Sequence, residues 1–402
     1  MTLDITILFS TRIIRLFCYG FLSVVLALYL AEAGLTEAQI GLLFTLTLAG
    51  DALISLWLTT SADRWGRKWT LILGALLMAG AGLAFVLTRN VVLLIVAAIL
   101  GVISPSGNEI GPFLSVEQAG LTQLLPNRRR TQIFAWYNLV GSFATATGAL
   151  AGGWLAQGLQ NNDWTALESY RLVLVGYAIG GFLLLLLFLN LSKGVEVEAL
   201  PDTTPRILGL HRSRDVVFKL SSLFAMDAFA GGLVVQSLMA YWFHLRFGVE
   251  SGALGSIFFG ANILAGISAL LAVRLAEKFG LINTMVFTHI PSNILLILVP
   301  LMPTLPLAIA VLLLRFSISQ MDVPTRQSYT MAVVAPDERS AASGITAIAR
   351  SIGSALSPGL TGLLFGIPAL FNLPFFLSGG LKILYDLLLY REFRAVKPPE
   401  ET

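Results

Sequence analysis

Nine ionisable side chains stand within long apolar stretches of this 402-residue chain: Asp51, Glu109, Glu117, Asp227, Asp322, Arg326, Arg350, Lys382 and Asp386. Each type can hold a proton, an ion or a charged solute. A charge inside a membrane span is costly, so it faces a partner or a water-filled cavity. Asp322 and Arg326 are four apart and share a helix face, as do Lys382 and Asp386. The second pair is expected to neutralise itself or to snorkel rather than bind a solute. Asp227 reads as a proton site or as a solvated helix-end charge. Glu117 either pairs locally near one mouth of a bundle or reaches a distant cation. Glu109 follows "SPSGN" at 104–108, and Pro105, Gly107 and Pro112 predict a kink or an unwound turn there. Unwound backbone can bind ligands; the alternative is a packing kink with Glu109 facing an outer vestibule. His289, ahead of Pro291, reads as a hydrogen-bonded helix residue before it reads as a proton relay.

Other chemistries find little support. The three His, at 211, 244 and 289, lie far apart, and Cys18 is the single cysteine, so neither a metal centre nor a disulfide framework is expected. No G-x-x-x-x-G-K-[ST] loop is present, which argues against ATP as a direct driver. No nucleophile–base constellation suggests an enzyme, and no cofactor or nucleic acid is implied.

The elements that must carry these residues are membrane helices. The chain is 56% hydrophobic and 12% charged, whereas soluble domains carry roughly 25% charged residues. Trp69–Thr88, Thr131–Asn162, Leu281–Leu314 and Ser351–Leu381 contain no Asp, Glu, Lys or Arg. About 20 apolar residues span a bilayer, and the alternation of a β-barrel is missing. Twelve spans are predicted, near 11–31, 38–61, 69–88, 91–124, 131–156, 169–192, 216–245, 252–274, 281–301, 306–334, 341–366 and 375–391. "VPLMPTLP" and "IPALFNLP" supply breaks that separate neighbouring spans. The first run lacks a cleavage site and reads as a retained helix. The fold class is therefore an all-α polytopic membrane protein.

Lys and Arg set the orientation. With both termini cytoplasmic, the inner side holds Arg12, Arg15, Arg64, Arg67, Lys68, Arg128, Arg129, Arg130, Lys193 and further cations of the second half, and the outer side only Arg89, Arg171 and Arg246. The connection 193–215, with Pro201 and Pro205, divides a six-helix half 1–192 from a six-helix half 216–402. The halves echo each other. "GALAGG" at 148–153 matches "SPGLTG" at 357–362, 209 residues later, and at that offset Gln118 meets Gln327, Arg130 meets Arg339 and Glu117 meets Arg326 with opposite charge. "ADRWG" at 62–66 matches "AEKFG" at 276–280 at an offset of 214. Such self-similarity signals duplication.

With "SADRWGRKWT" at 61–70, the chain resembles the major facilitator superfamily. Asp63, Arg64, Gly66, Arg67 and Lys68 match that family's G-x-x-x-D-R-x-G-R-K loop between helices 2 and 3, with Thr59 in place of the first Gly. "GALAGG" resembles its antiporter signature G-P-x-x-G-G, with Ala149 replacing Pro, and 322–342 looks like a helix 10 to helix 11 segment of the family. The resemblance implies that helices 1, 4, 7 and 10 line a cavity, which would hold Glu109, Glu117, Asp227, Asp322 and Arg326 as substrate or proton-coupling residues. It implies that Asp63 meets the N-terminus of helix 11 as a conformational latch, unless the loop cations only fix topology. It also places helix 2 beside helix 11, so Asp51 and Arg350 are expected to pair between the halves; in the competing view Arg350 binds an anionic substrate and Asp51 is hydrogen-bonded within its own half. Glu117 and Arg326 are likewise expected to be coupled. The implied function is secondary-active transport by alternating access, with proton-coupled efflux of a small organic compound. Import or facilitated diffusion, and a non-transporting membrane sensor, are the alternatives. The expected partners are that solute, protons and the lipid bilayer, and the expected location is the cell inner membrane, as a monomer.

Overall fold

The computed structural model describes residues 3–125, 127–196, 212–335 and 338–394, with no strand among them. The first half contains α1 (Leu3–Ser23), α2 (Leu26–Glu32), α3 (Glu37–Trp65), α4 (Arg67–Leu87), α5 (Val91–Leu100), α6 (Phe113–Leu124), α7 (Asn127–Gln160) and α8 (Ala166–Leu189). The second contains α9 (Arg214–Gly232), α10 (Gln236–Phe247), α11 (Ser251–Phe279), α12 (Leu281–Leu298), α13 (Leu305–Phe316), α14 (Asp322–Val333), α15 (Arg339–Phe365) and α16 (Leu373–Phe393). Among the described residues nine helical stretches are long and apolar enough to cross a membrane, and α5 and α13 are shorter apolar helices. This is a multi-pass all-helical membrane protein.

Helix occupies all twelve expected spans, but four are not continuous. The first, fourth, seventh and tenth are each split, as α1–α2, α5–α6, α9–α10 and α13–α14. Pro and Gly density announces the break at 101–112, where Gly107 and Gly111 take φ of +70° and +79°. The break at 317–321 contains neither residue type and corrects the expectation of one helix over 306–334. Elsewhere the ends follow local chemistry. Thr36 and Gln39 form a reciprocal capping box on α3, and Thr165 and Glu168 form another on α8.

The chain packs as two compact units, one of residues 1–203 with 235–259 and one of 204–234 with 260–402. In the first, α1 lies chiefly on α7 and α4 on α8; in the second, α9 lies on α15 and α12 on α16. These are corresponding spans of the repeat. One close contact recurs in detail: a Cβ on Gly20 would stand 2.0 Å from the Thr145 carbonyl oxygen, and one on Gly232 would stand 2.6 Å from that of Ser354. Large apolar side chains such as Phe182, Leu183 and Leu186 of α8 stay exposed, as lipid-facing surface requires.

Candidate functional site

The first unit closes a charged cluster around α1. Arg15, in its fourth turn, has no exposed surface. It donates from Nη1 and Nη2 to the two carboxylate oxygens of Glu117 on α6, at 2.8 and 2.7 Å, and from Nε to Glu109 at 2.7 Å. This fork-on-carboxylate geometry is the strong form of the pair. Arg12, one turn earlier, donates to the other Glu109 oxygen at 2.7 Å and to the Tyr137 carbonyl at 2.8 Å, while its guanidinium lies 4.3 Å from the Tyr137 ring. Thr11 (2.8 Å) and the Tyr137 hydroxyl also donate to Glu117. Two cations thus face two carboxylates.

Glu109 reaches Arg12 and Arg15 because the chain between α5 and α6 is unwound. Side chains from neighbouring helices satisfy the freed backbone groups there. Tyr177 donates to the Val102 carbonyl, Tyr19 to that of Ile110 at 3.3 Å, and Ser237 to that of Pro105 at 2.7 Å. Asp51 on α3 accepts from the Gly111 amide at 2.7 Å and from the Ser55 hydroxyl at 3.2 Å, so its bonded partners are neutral donors.

The second unit builds its cluster around Asp227 on α9. Lys382 of α16 donates to one oxygen at 2.6 Å; Arg350 of α15 and Arg326 of α14 donate to the other at 3.1 and 3.2 Å. Arg326 also bonds Asp322 at 2.8 Å, across one turn of α14. Beside them, Asp386 accepts from Asn293 at 3.3 Å and lies 2.9 Å from His289 Nδ1.

Several expectations are corrected by these contacts. Glu117 and Arg326 were expected to couple; instead, each within its own unit, Glu117 takes Arg15 on α1, and Arg326 takes Asp227 on α9 and Asp322 one turn away on α14. Asp51 and Arg350 likewise have local partners, Gly111 with Ser55 and Asp227 respectively. Lys382 turns to Asp227 rather than to Asp386, which is bonded to His289 and Asn293. Arg12 and Arg15 read as helix-end charges in the sequence, yet α1 begins at Leu3 and carries both into the buried cluster. Their i, i+3 spacing, with Glu109 left without an assigned cation, was the available signal. Arg315, in the last turn of α13, was also overlooked.

Of the loop residues, the side chains of Asp63 and Arg64 lie outside the described residues. Gly66 has φ +98° and turns the chain from α3 into α4. The first amides of α4, on Arg67 and Lys68, donate to the Glu196 carboxylate at 2.7 and 3.1 Å, an anion at a helix N-terminus. Lys68 Nζ bonds the Leu189 and Leu191 carbonyls, and Arg67 bonds Gln123. In the second unit Glu338 clamps the amides of Arg212 and Ser213 at 2.7 and 2.8 Å.

Gly20 and Gly232 stand 212 residues apart, and so do Arg15 and Asp227; Glu117 and Arg326 stand 209 apart. The buried pair of the first half therefore recurs in the second with its signs reversed. A family profile described as Major Facilitator Superfamily matches residues 8–358. The chain belongs to the major facilitator superfamily. Its sequence is 33% identical to an uncharacterized membrane protein, YJR124C, of Saccharomyces cerevisiae, over 98% of this chain and 94% of that protein. Among solved superfamily structures, a bacterial homolog of the human lysosomal transporter Spinster, inward-facing and occupied, superposes with a TM-score of 0.74 at 18% identity, over 97% of this chain and 96% of that one. The D-xylose-proton symporter gives 0.74 at 15%, over 96% and 97%. The nucleoside transporter NupG gives 0.71 at 15%, over 98% and 100%. At these identities the likeness is one of fold, and the fold is that of superfamily transporters.

Proposed function

We propose that this protein is a secondary-active transporter in which the halves 1–192 and 216–402 rock about a midplane site, exporting a small organic compound in exchange for protons. The observation that carries the reading is the buried ion-pair cluster in each half, built from one split helix onto the next. Such clusters, costly in a membrane, supply charges that solute and proton can compete for. Glu109 and Glu117 serve the first half; Asp227, Asp322 and Arg326 serve the second. Asp51 is the proton carrier of this scheme, because it is held by neutral donors alone. The loop Asp63, Arg64, Gly66, Arg67 and Lys68 is the cytoplasmic latch. The positive-inside bias supports cytoplasmic termini, and the short loops fit residence in the inner (plasma) membrane.

The test is transport by proteoliposomes loaded with a mixed panel of carboxylates, sugars and nucleosides and an internal pH dye. Loss of at least one compound, with opposite proton movement, is expected. Folded protein that moves none of the panel would sink the transporter reading. Movement in the same direction as protons would replace export by symport, the coupling of the D-xylose-proton symporter.

A further inference from the structure

The ion pairs around Asp227 do not balance. Among the described residues, Arg326, Arg350 and Lys382 pair with two carboxylates, Asp227 and Asp322. The carboxylates are also oversubscribed. Asp227 serves three cations with two oxygens, at 2.6, 3.1 and 3.2 Å. Asp322 bonds Arg326 and also lies in the field of Arg315, whose buried Nε has no hydrogen-bond partner. Asp386 is turned to His289 and Asn293. An excess cation in a low-dielectric environment demands an anion.

One cation is placed to recruit it. The side chain of Arg350 is 34% exposed, against 8% for Arg326 and 10% for Lys382. Among the described residues Arg350 bonds Asp227 through Nη1, and Nε and Nη2 of the fork make no hydrogen bond. A guanidinium presents paired donors that match a carboxylate in bidentate fashion. We propose that the transported compound is a small organic anion bearing a carboxylate, and that Arg350 captures it. The anion draws Arg350 from Asp227, which keeps Lys382 and Arg326, so no carboxylate is stranded by binding. Arg315, whose Nε lacks a hydrogen-bond partner, adds to the attraction through its field. This inference rests on the transporter reading for its biological meaning, but the binding step stands on the charge inventory alone.

The experiment is thermal unfolding of the full-length protein in lipid nanodiscs, with a series of monocarboxylates from acetate to octanoate and benzoate, each matched by its own amide. A ligand that binds the native state at a hundredfold its Kd raises the midpoint by a few degrees. At least one carboxylate should do so while its amide does not. Arg350→Gln should weaken that carboxylate at least about tenfold, and Arg350→Lys, which keeps the charge and loses the fork, should weaken it less. Should Arg350→Gln fail to fold, Arg350→Lys and Arg315→Gln must each still lower the affinity. No shift with any carboxylate, equal shifts with the amides, or undiminished binding by the variants overturns the proposal. Binding without passage across proteoliposomes would instead sink the transport reading and leave the anion site standing.

Discussion

Arg15 and Glu117 meet through both nitrogens of one fork and both oxygens of one carboxylate, without exposed surface on either side chain. Removing one partner of such a pair strands the other. Glu117→Gln should therefore destabilise the protein by about 3–5 kcal/mol, read from unfolding in detergent. The double change with Arg15→Gln should be milder than the sum of the single changes; additive losses would mean that the pair is not a unit. Asp51→Asn makes a contrasting prediction. The amide oxygen still accepts from Gly111, so the midpoint should hold within a degree or two of the parent protein, while solute-driven proton movement disappears. Retained proton movement would remove Asp51 from the coupling scheme. The sequence identified Glu117, Asp227 and Arg326 as costly charges and placed Asp322 on the helix face of Arg326, but it matched Glu117 with Arg326 and gave Asp227 no cation. The reason is physical: Glu117 and Arg15 are 102 positions apart, and burial makes a charge take whichever counter-ion the packing brings nearest.

The helices show the same boundary between local and tertiary information. The break at 101–112 was legible because Pro and Gly cannot sustain a helix. The breaks after Ser23 and Phe316 were not, because 24–25 and 317–321 contain neither residue type. Helix spacing on α7 was also legible only in part. The small-residue run at 148–153 resembles a family signature, and its glycines prove to be contact points. A Cβ on Gly148 would stand 2.0 Å from the Phe17 carbonyl oxygen, a backbone atom that can yield only if α1 moves. Gly148→Ala should lose about 1–3 kcal/mol through overpacking. Gly158→Ala, on the same helix with nothing within 4 Å of the new carbon, should gain up to about 1 kcal/mol from helix propensity. Equal effects at the two sites, measured by thermal unfolding, would contradict this packing of α7.

At the scale of the molecule, duplication explains why helix pairings, a glycine contact and a buried ion pair recur about 210 residues apart, with the pair reversed in sign. Orientation gives a direct check. A protease-sensitive tag after Thr402 should be cut in inside-out vesicles and spared in right-side-out ones, since Lys and Arg crowd the inner loops; the opposite pattern would invert the topology. The two carboxylate clamps described above have a further consequence. Glu196 pins one end of the central connection to α4, and Glu338 pins the other at Arg212 and Ser213. The residues between the two clamps are 197–211, and a chain of that length spans at most about 50 Å. Deleting ten of those residues would leave a leash of about 20 Å. A carrier hobbled in this way should still bind its solute yet stall whenever its cycle calls for a longer stride, whereas mutating either clamp would pay out more line.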